Sequence, residues 1–516
     1  MMSANRSERL KNLSPQQRSL LLKALGKEAV QAEESKRIPR RSQQSPAPLS
    51  FAQQRLWFLD RLSPENPAYN LPAAVRMQGQ LNLSALQQTL NEIVRRHEVL
   101  RTAFAEVDGQ PVQLISPSLN FALSVVNLRH LPETEQQAEI DRRTIEEAQR
   151  PFDLARSPLL RVTLLQLNPA EYVLLLTIHH IISDGWSMGV LVREVAALYE
   201  TFSTDKPSPL PELPVQYADF ASWQWQHFQG EKLEKQLAYW KQQLGCSLAV
   251  LSTDKQRSLV QTFRGSQQSF VISASLAERL KALAQQQDIT LFMTLLAAFQ
   301  SLLYCHQKQD NLAIGSPIAN RNLLELEELI GFFVNTLVLR IDTAGNPTFH
   351  ELLRRTREVA LAAYAHPDVP FEKLVVELQP ERNLSYNPLF QVWFVLQNAP
   401  MPPLELAGLT LSILEFDVGM SRHDLSLTLW EFSEGIQGLF EYKTDLFEAA
   451  TIARIVRGWE TVLNQVVSQP DIKIDELAEI LAEAERQHQI EQEKQIHSSG
   501  IQKLKMAKRK VMNSLK

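Results

Sequence analysis

The residues best suited to chemistry stand together in one short run, His179-His180-Ile181-Ile182-Ser183-Asp184-Gly185-Trp186-Ser187. Histidine exchanges between neutral and charged forms near pH 7, which suits proton transfer. If the apolar stretch Tyr172–Ile182 is one buried strand, alternation sends His179 and His180 to opposite faces. One ring then turns inward as structure while the other faces a channel. Asp184, just past the strand, needs a cationic or hydrogen-bonding partner if it is buried. Gly185 permits a positive φ and a close backbone approach to substrate. A lone histidine on an apolar strand is ordinarily a core residue; two histidines, an aspartate and a glycine in one strand-to-helix turn are harder to assign to packing. Adjacent strand histidines diverge and no third ligand stands at ligand spacing, so no metal is expected.

Positioning that turn needs a strand before it and a helix after it. The helix is expected through Val190, Leu191, Val195, Leu198 and Tyr199. An earlier helix opens at Ser84, where Ser84 and Gln87 read as a capping box and Leu86, Leu90, Ile93 and Val94 share one face. Trp223–Leu244 reads as one long helix bridging two lobes. Beyond it, Leu276–Gln287, Leu291–Leu303 and Thr348–Ala363 are predicted helices. Asn311–Pro317, Val334–Ile341, Phe390–Gln397, Leu409–Phe416, Leu425–Glu431 and Gly435–Tyr442 are predicted strands. The division that follows is a leader and linker over 1–46 with one helix at Leu13–Ala24, an N-terminal lobe over 47–225, a C-terminal lobe over 226–475, and a charged helical tail over 476–516. The tail ends in Lys503, Lys505, Lys508, Arg509 and Lys510, and reads either as a solvated end or as a docking segment.

With 516 residues, 44% of them hydrophobic, the chain can bury a large core, and its net charge of −5, spread over mixed signs, gives no strongly basic face to suggest nucleic acid. The two cysteines, Cys246 and Cys305, are far apart and lack metal spacing, which fits a reducing cytoplasm. The polar N-terminus has no signal-peptide core, and no apolar run is long enough for a membrane span.

The run HHIISDGWS resembles the HHxxxDG signature of nonribosomal peptide synthetase condensation domains. Other motifs similar to that family's occur in its order: Ser50–Leu59 (SFAQQRLWFL), Arg96–Phe104 (RHEVLRTAF), Tyr217–Gln224 (YADFASWQ), Ile330–Arg340 (IGFFVNTLVLR), Tyr364–Glu372 (YAHPDVPFE) and Arg382–Gln391 (RNLSYNPLFQ). The resemblance implies an α/β fold of two chloramphenicol-acetyltransferase-like lobes in a V-shaped pseudo-dimer, with the active site in the channel between them. It implies that His180 is the catalytic histidine and His179 the structural one, that Asp184 forms a structural ion pair, and that Gly185 lines the reaction centre. Arg321 is the expected partner of Asp184, in preference to Arg340; Trp186, Ser187, Asn335 and Ser316 are expected to line the channel. Trp57, Trp223, His97, His366 and Asp368 are read as packing, capping or loop residues.

The implied reaction joins a donor acyl or peptidyl thioester to the amine of an acceptor aminoacyl thioester. Both substrates arrive on the phosphopantetheine of partner carrier proteins, and the chain itself binds no cofactor. His180 acts either as base or by hydrogen-bonding the amine and the tetrahedral intermediate. The chain shows no adenylation or carrier motif, so it resembles a free-standing enzyme or one piece of a larger synthetase, closest in its motifs to domains that join two L-residues. The alternatives are a coenzyme A-dependent or ester-forming acyltransferase of the same superfamily, and a non-catalytic module that binds carrier protein.

Overall fold

The computed structural model describes residues 37–42, 46–245, 248–380, 385–399, 405–492 and 494. The expected helix at Leu13–Ala24, Cys246 and the basic end of the tail lie outside the described residues, as do Arg382–Leu384 of the Arg382–Gln391 motif. Among the described residues no single helix is long and apolar enough to cross a membrane.

Two α/β lobes form. The first is built on a five-stranded sheet of β2 (Asn70–Gly79), β5 (Ser124–Asn127), β6 (Leu160–Asn168), β7 (Glu171–His179) and β12 (Leu409–Ile413), in the order β12-β2-β7-β6-β5. Period-2 alternation along β7 feeds two cores. Tyr172 and Ile178 pack with Leu86, Leu90 and Ile93 of α2 (Leu83–Arg96) and with Val190 and Leu198 of α4 (Gly185–Phe202); Val173 and Leu175 meet Ile140 of α3 (Glu133–Gln149) on the other face. A small sheet of β1 (Ala47–Pro48), β3 (Thr102–Val107) and β4 (Gln110–Ile115) adjoins this lobe. Helix α1 (Phe51–Leu62) starts at Ser50, whose hydroxyl and Gln53 close a capping box.

The second lobe is a six-stranded sheet of β8 (Gly265–Ser273), β9 (Ala313–Ile318), β10 (Asn335–Arg340), β11 (Val392–Gln397), β13 (Leu425–Phe432) and β14 (Gly435–Lys443), in the order β10-β9-β11-β13-β14-β8. Leu425, Leu427, Leu429, Ile436 and Phe440 share one core with Leu280 of α7 (Ala274–Gln286), Phe299 of α8 (Leu291–Gln307), Leu353 of α9 (Phe349–Ala365) and Trp459 of α11 (Ala449–Ser468). The lobes are stitched by sequence-distant segments. Strand β12, from the later half of the chain, pairs antiparallel with β2, and Leu326, Leu329, Ile330 and Phe333 join the first lobe's core.

Three local expectations are corrected. Asn82 caps α2, accepting from the Ala85 N–H, because the helix opens at Leu83 rather than at Ser84. Gln87 is thereby free to hold the Leu123 N–H at 2.8 Å. The expected single helix over Trp223–Leu244 is two, α5 (Tyr217–His227) and α6 (Glu231–Leu244), broken where Gly230 takes φ 66°. The buried strand ends at His179, and His180–Ile182 turn as a 3-10 helix.

Candidate active site

The 3-10 turn, not strand alternation, separates the two histidines. His179 is buried at the end of β7, with its ring edge-on to Phe152 at 5.9 Å. Its Nδ1 accepts the Ile181 N–H at 3.1 Å, so its proton is on Nε2. His180, half-buried, is turned the other way. Its Nδ1 lies 2.7 Å from the Ser183 carbonyl, which can only accept, so Nδ1 carries the proton and Nε2 keeps a bare lone pair. Phe332 packs against this ring with centroids 4.8 Å apart. Burial, and secondarily the positive charge of Arg422, push His180 down to about 3; burial, reinforced by His180, does the same to His179. Both rings are therefore neutral through the physiological range.

Asp184 closes the turn and caps α4. It is fully buried and fully engaged: Oδ1 accepts from the Ser187 N–H at 2.8 Å, the Ser187 hydroxyl at 2.7 Å and Arg321 Nη2 at 3.2 Å, and Oδ2 accepts the Phe333 N–H at 3.0 Å. Arg321 also donates to the carbonyls of Leu326 and Leu329, and its guanidinium lies 4.1 Å from the Phe333 ring centroid. Burial lowers its pKa, an effect opposed by Asp184. This cluster joins the turn to segment 326–333 from the later half of the chain.

His180 borders an open cavity of about 530 Å³ between the lobes, lined from one side by Phe58, Leu59 and Tyr69 and from the other by Phe371, Trp393 and Arg422. Of the four residues expected to line the channel, Trp186, Ser187 and Ser316 do not line this cavity, and Asn335 lines a small adjoining pocket that shares Arg55, Phe332, Val334 and Thr336 with it. Ser187 is consumed by Asp184, Arg321 and the Gly331 backbone, and Trp186 donates its indole N–H to the Glu327 carbonyl at 2.9 Å, because α4 begins at Gly185 and winds both away. The Asn335 amide clamps a turn, donating to the Pro367 and Val369 carbonyls at 2.8 Å each and accepting the Phe371 N–H. Ser316 is buried in β9, opposite Leu337. Gly185 is not among the positive-φ glycines; its backbone faces the second lobe, where a Cβ would sit 3.5 Å from Gln397 Nε2.

His97 is buried in a hydrogen-bonded pair with Glu194 at 2.8 Å and accepts the Ile330 N–H, a structural polar link, while His366 stacks on Tyr239 at 4.1 Å. Sequence reasoning missed Arg55, Tyr69, Arg422 and His423 as cavity residues. The only hint was a charged Arg-His-Asp triplet standing directly before a predicted strand. Among the described residues no group of three potential ligands is placed to hold a metal.

Comparison with known proteins decides the family, because the condensation domain matches residues 43–490. The chain belongs to the condensation-domain family. One of the linear gramicidin synthase proteins of Brevibacillus parabrevis is 48% identical over 454 residues, 87% of this chain and 6% of that protein. Phosphinothricin tripeptide synthetase PhsC of Streptomyces viridochromogenes is 38% identical over 93% of this chain and 46% of its own length. The chain thus spans less than half of these much longer relatives. Among solved structures, the X-domain from teicoplanin biosynthesis superposes with a TM-score of 0.78 at 29% identity, covering 85% of this chain and 99% of that one. The four-domain nonribosomal peptide synthetase AB3403 gives 0.75 at 26% identity over 84% of this chain and 34% of its own.

Proposed function

We propose that this condensation domain forms a peptide bond in nonribosomal peptide synthesis, attaching a carrier-bound donor acyl or peptidyl group to the amine of a carrier-bound acceptor residue. The observation that carries the reading is His180: a neutral ring pinned through Nδ1, its Nε2 unprotonated, on the wall of an interlobe cavity. In this reading Nε2 accepts a hydrogen bond from the acceptor amine. The nitrogen attacks the donor thioester carbon, the new C–N bond forms, the C–S bond breaks, and the amine proton passes by way of Nε2 to the departing carrier thiolate. With its pKa held near 3, His180 is a weak resting base. Orientation of two tethered reactants is then the larger contribution. The Gly185 N–H, in the first turn of α4 and without an intrahelical acceptor, is our candidate donor to the oxyanion, worth about 3 kcal/mol.

Asp184 and Arg321 are positioning residues in this scheme, and His179 fixes the turn. We take the lobes to divide near residue 225 in chain order, with 326–333 and 406–414 returning to the first. The motifs favour two L-configured substrates on phosphopantetheine arms, with no cofactor of the chain's own, and cytoplasmic partners. A second reading has one support: the X-domain likeness, which extends to a structure of that domain in complex with OxyB. A recruitment module would leave His180's geometry without use.

The test is intact-protein mass spectrometry of two loaded carrier proteins with wild-type protein and with His180→Ala. A dipeptidyl acceptor carrier, lost or slowed about 10²- to 10⁴-fold in the variant, is the expected result. Carrier binding without product would favour recruitment. Product from coenzyme A thioesters without carrier would favour the broader acyltransferase class.

A further inference from the structure

The cavity beside His180 is walled mainly by aromatic and aliphatic side chains, and a charge in such surroundings is costly unless it is paired. Its charged lining groups are paired, with one exception. Arg55 stands 3.6 Å from Glu372 and over the Phe371 ring. Asp424 is held by Lys443 at 3.1 Å and by Arg257 at 2.5 Å. Among the described residues, Arg422 has no hydrogen bond and no carboxylate within ion-pair distance; its guanidinium lies over the Tyr69 ring, 5.8 Å from the centroid. Glu441 is the nearest countercharge in electrostatic effect, yet it is not in ion-pair contact and does not line the cavity. The flanking His180 and His423 are neutral, so neither balances nor adds to the charge. Arg422 thus brings to the cavity a positive charge that, among the described residues, has no ion-pair contact and is offset only through the longer-range effect of Glu441.

We propose that Arg422 recognises a carboxylate on the molecule that enters this cavity, so that the substrate joined there carries an anion near its reacting group. The proposal rests on the condensation reading and names its substrate class. The phosphate of a pantetheine arm cannot supply the anion, because it lies a full arm's length from the thioester, whereas Arg422 shares the cavity wall with His180. Two sources remain: the acidic side chain of a carrier-bound residue, or the α-carboxylate of an untethered amino acid. Arginine suits either, since its planar fork matches a carboxylate with two parallel N–H···O bonds.

Calorimetric titration of the full chain, which needs no turnover, separates this proposal from the condensation reading. The probes are isosteric pairs: pantetheine amides of aspartate against asparagine and of glutamate against glutamine for the first source, and leucine against leucinamide for the second. One acidic member should bind about tenfold to a hundredfold more tightly than its neutral isostere. Arg422→Gln should abolish that ratio and Arg422→Lys should retain part of it. Equal affinities within every pair, or no binding of any probe, would overturn the proposal on wild-type protein alone, whatever the variants do. A preference that survives in Arg422→Gln would overturn it as well. A failure here leaves peptide formation by His180 standing; absence of peptide product leaves the anion preference standing.

Discussion

Replacing Arg321 with alanine attacks the point where both halves of the chain meet. The Asp184 carboxylate is fully buried, and among the described residues Arg321 is its only cationic partner, 3.2 Å away, with both side chains at or below 1% exposure. Without the guanidinium, three donors remain on Asp184: the Ser187 N–H and hydroxyl and the Phe333 N–H. They do not neutralise its charge. The carbonyls of Leu326 and Leu329 lose their donor at the same time, and the face of Phe333 loses its cover. Breaking a buried pair from one side costs about 3–5 kcal/mol, chiefly because it strands the surviving charge. For a lobe of this size that is a fall of roughly 6–20 °C in unfolding temperature. Thermal unfolding of Arg321→Ala checks it. The cycle with Asp184→Ala isolates the pair: the double variant should recover about 1 kcal/mol or more relative to the summed single losses, because it strands no charge. A loss under about 1 kcal/mol for Arg321→Ala, or strict additivity in the cycle, would refute the argument that this pair holds the turn to the second half of the chain.

Other outcomes follow from the same geometry. Because burial depresses the folded-state pKa of His179 and His180 from 6.5 to about 3, the stability they contribute is complete above pH 6.5 and declines as pH falls towards 3. His179, the more buried, should cost about 1 kcal/mol by pH 5.5, read from urea midpoints, and NMR titration should find neither ring ionising between pH 5 and 8. Gly331→Ala should destabilise by about 1–3 kcal/mol in urea titration, since its Cβ would stand 2.0 Å from the Tyr217 ring, itself tied by its hydroxyl to the Phe332 carbonyl and Ser50. His180→Ala should cost little stability, as the ring makes one hydrogen bond, to Ser183, while slowing product formation about 10²- to 10⁴-fold.

The parts legible in sequence are those set by local rules. The β7 alternation, the helix that opens at Gly185 and the amphipathic face of α2 follow from spacing alone. The choice of Arg321 over Arg340 comes from the family resemblance and not from spacing. What could not be read depends on tertiary placement. Strand β12 leaves its own lobe to pair with β2, and Leu409–Ile413 carries the same apolar signal whichever sheet it joins. His180 departs from strand alternation because the strand ends at His179, three residues before the expected stop after Ile182. The expected lining residues Trp186 and Ser187 fail for a related reason: a helix that begins at Gly185 rotates them off the cavity and into the Asp184 cluster.

Cavity chemistry is the least local property of all. Arg422 and His423 stand before β13, far in sequence from His180, yet Arg422 is the group that reinforces burial in keeping the histidine neutral. In the proposed function that neutrality sets the logic of the site. In the proposed reaction a ring held neutral by burial and by Arg422 takes no proton from an ammonium group, so the acceptor is expected to arrive as free amine, oriented by the Nε2 lone pair. The proton leaves only once attack on the thioester has made the nitrogen strongly acidic. A buried aspartate–arginine pair fits this division of labour, because it holds the turn to the second half of the chain and does not line the cavity. Rate in such a site comes from bringing two reactants to one fixed acceptor atom, and the residues most worth fixing are those that aim His180: Ser183 through its carbonyl, Phe332 through its ring, and Asp184 through the cap it places on α4.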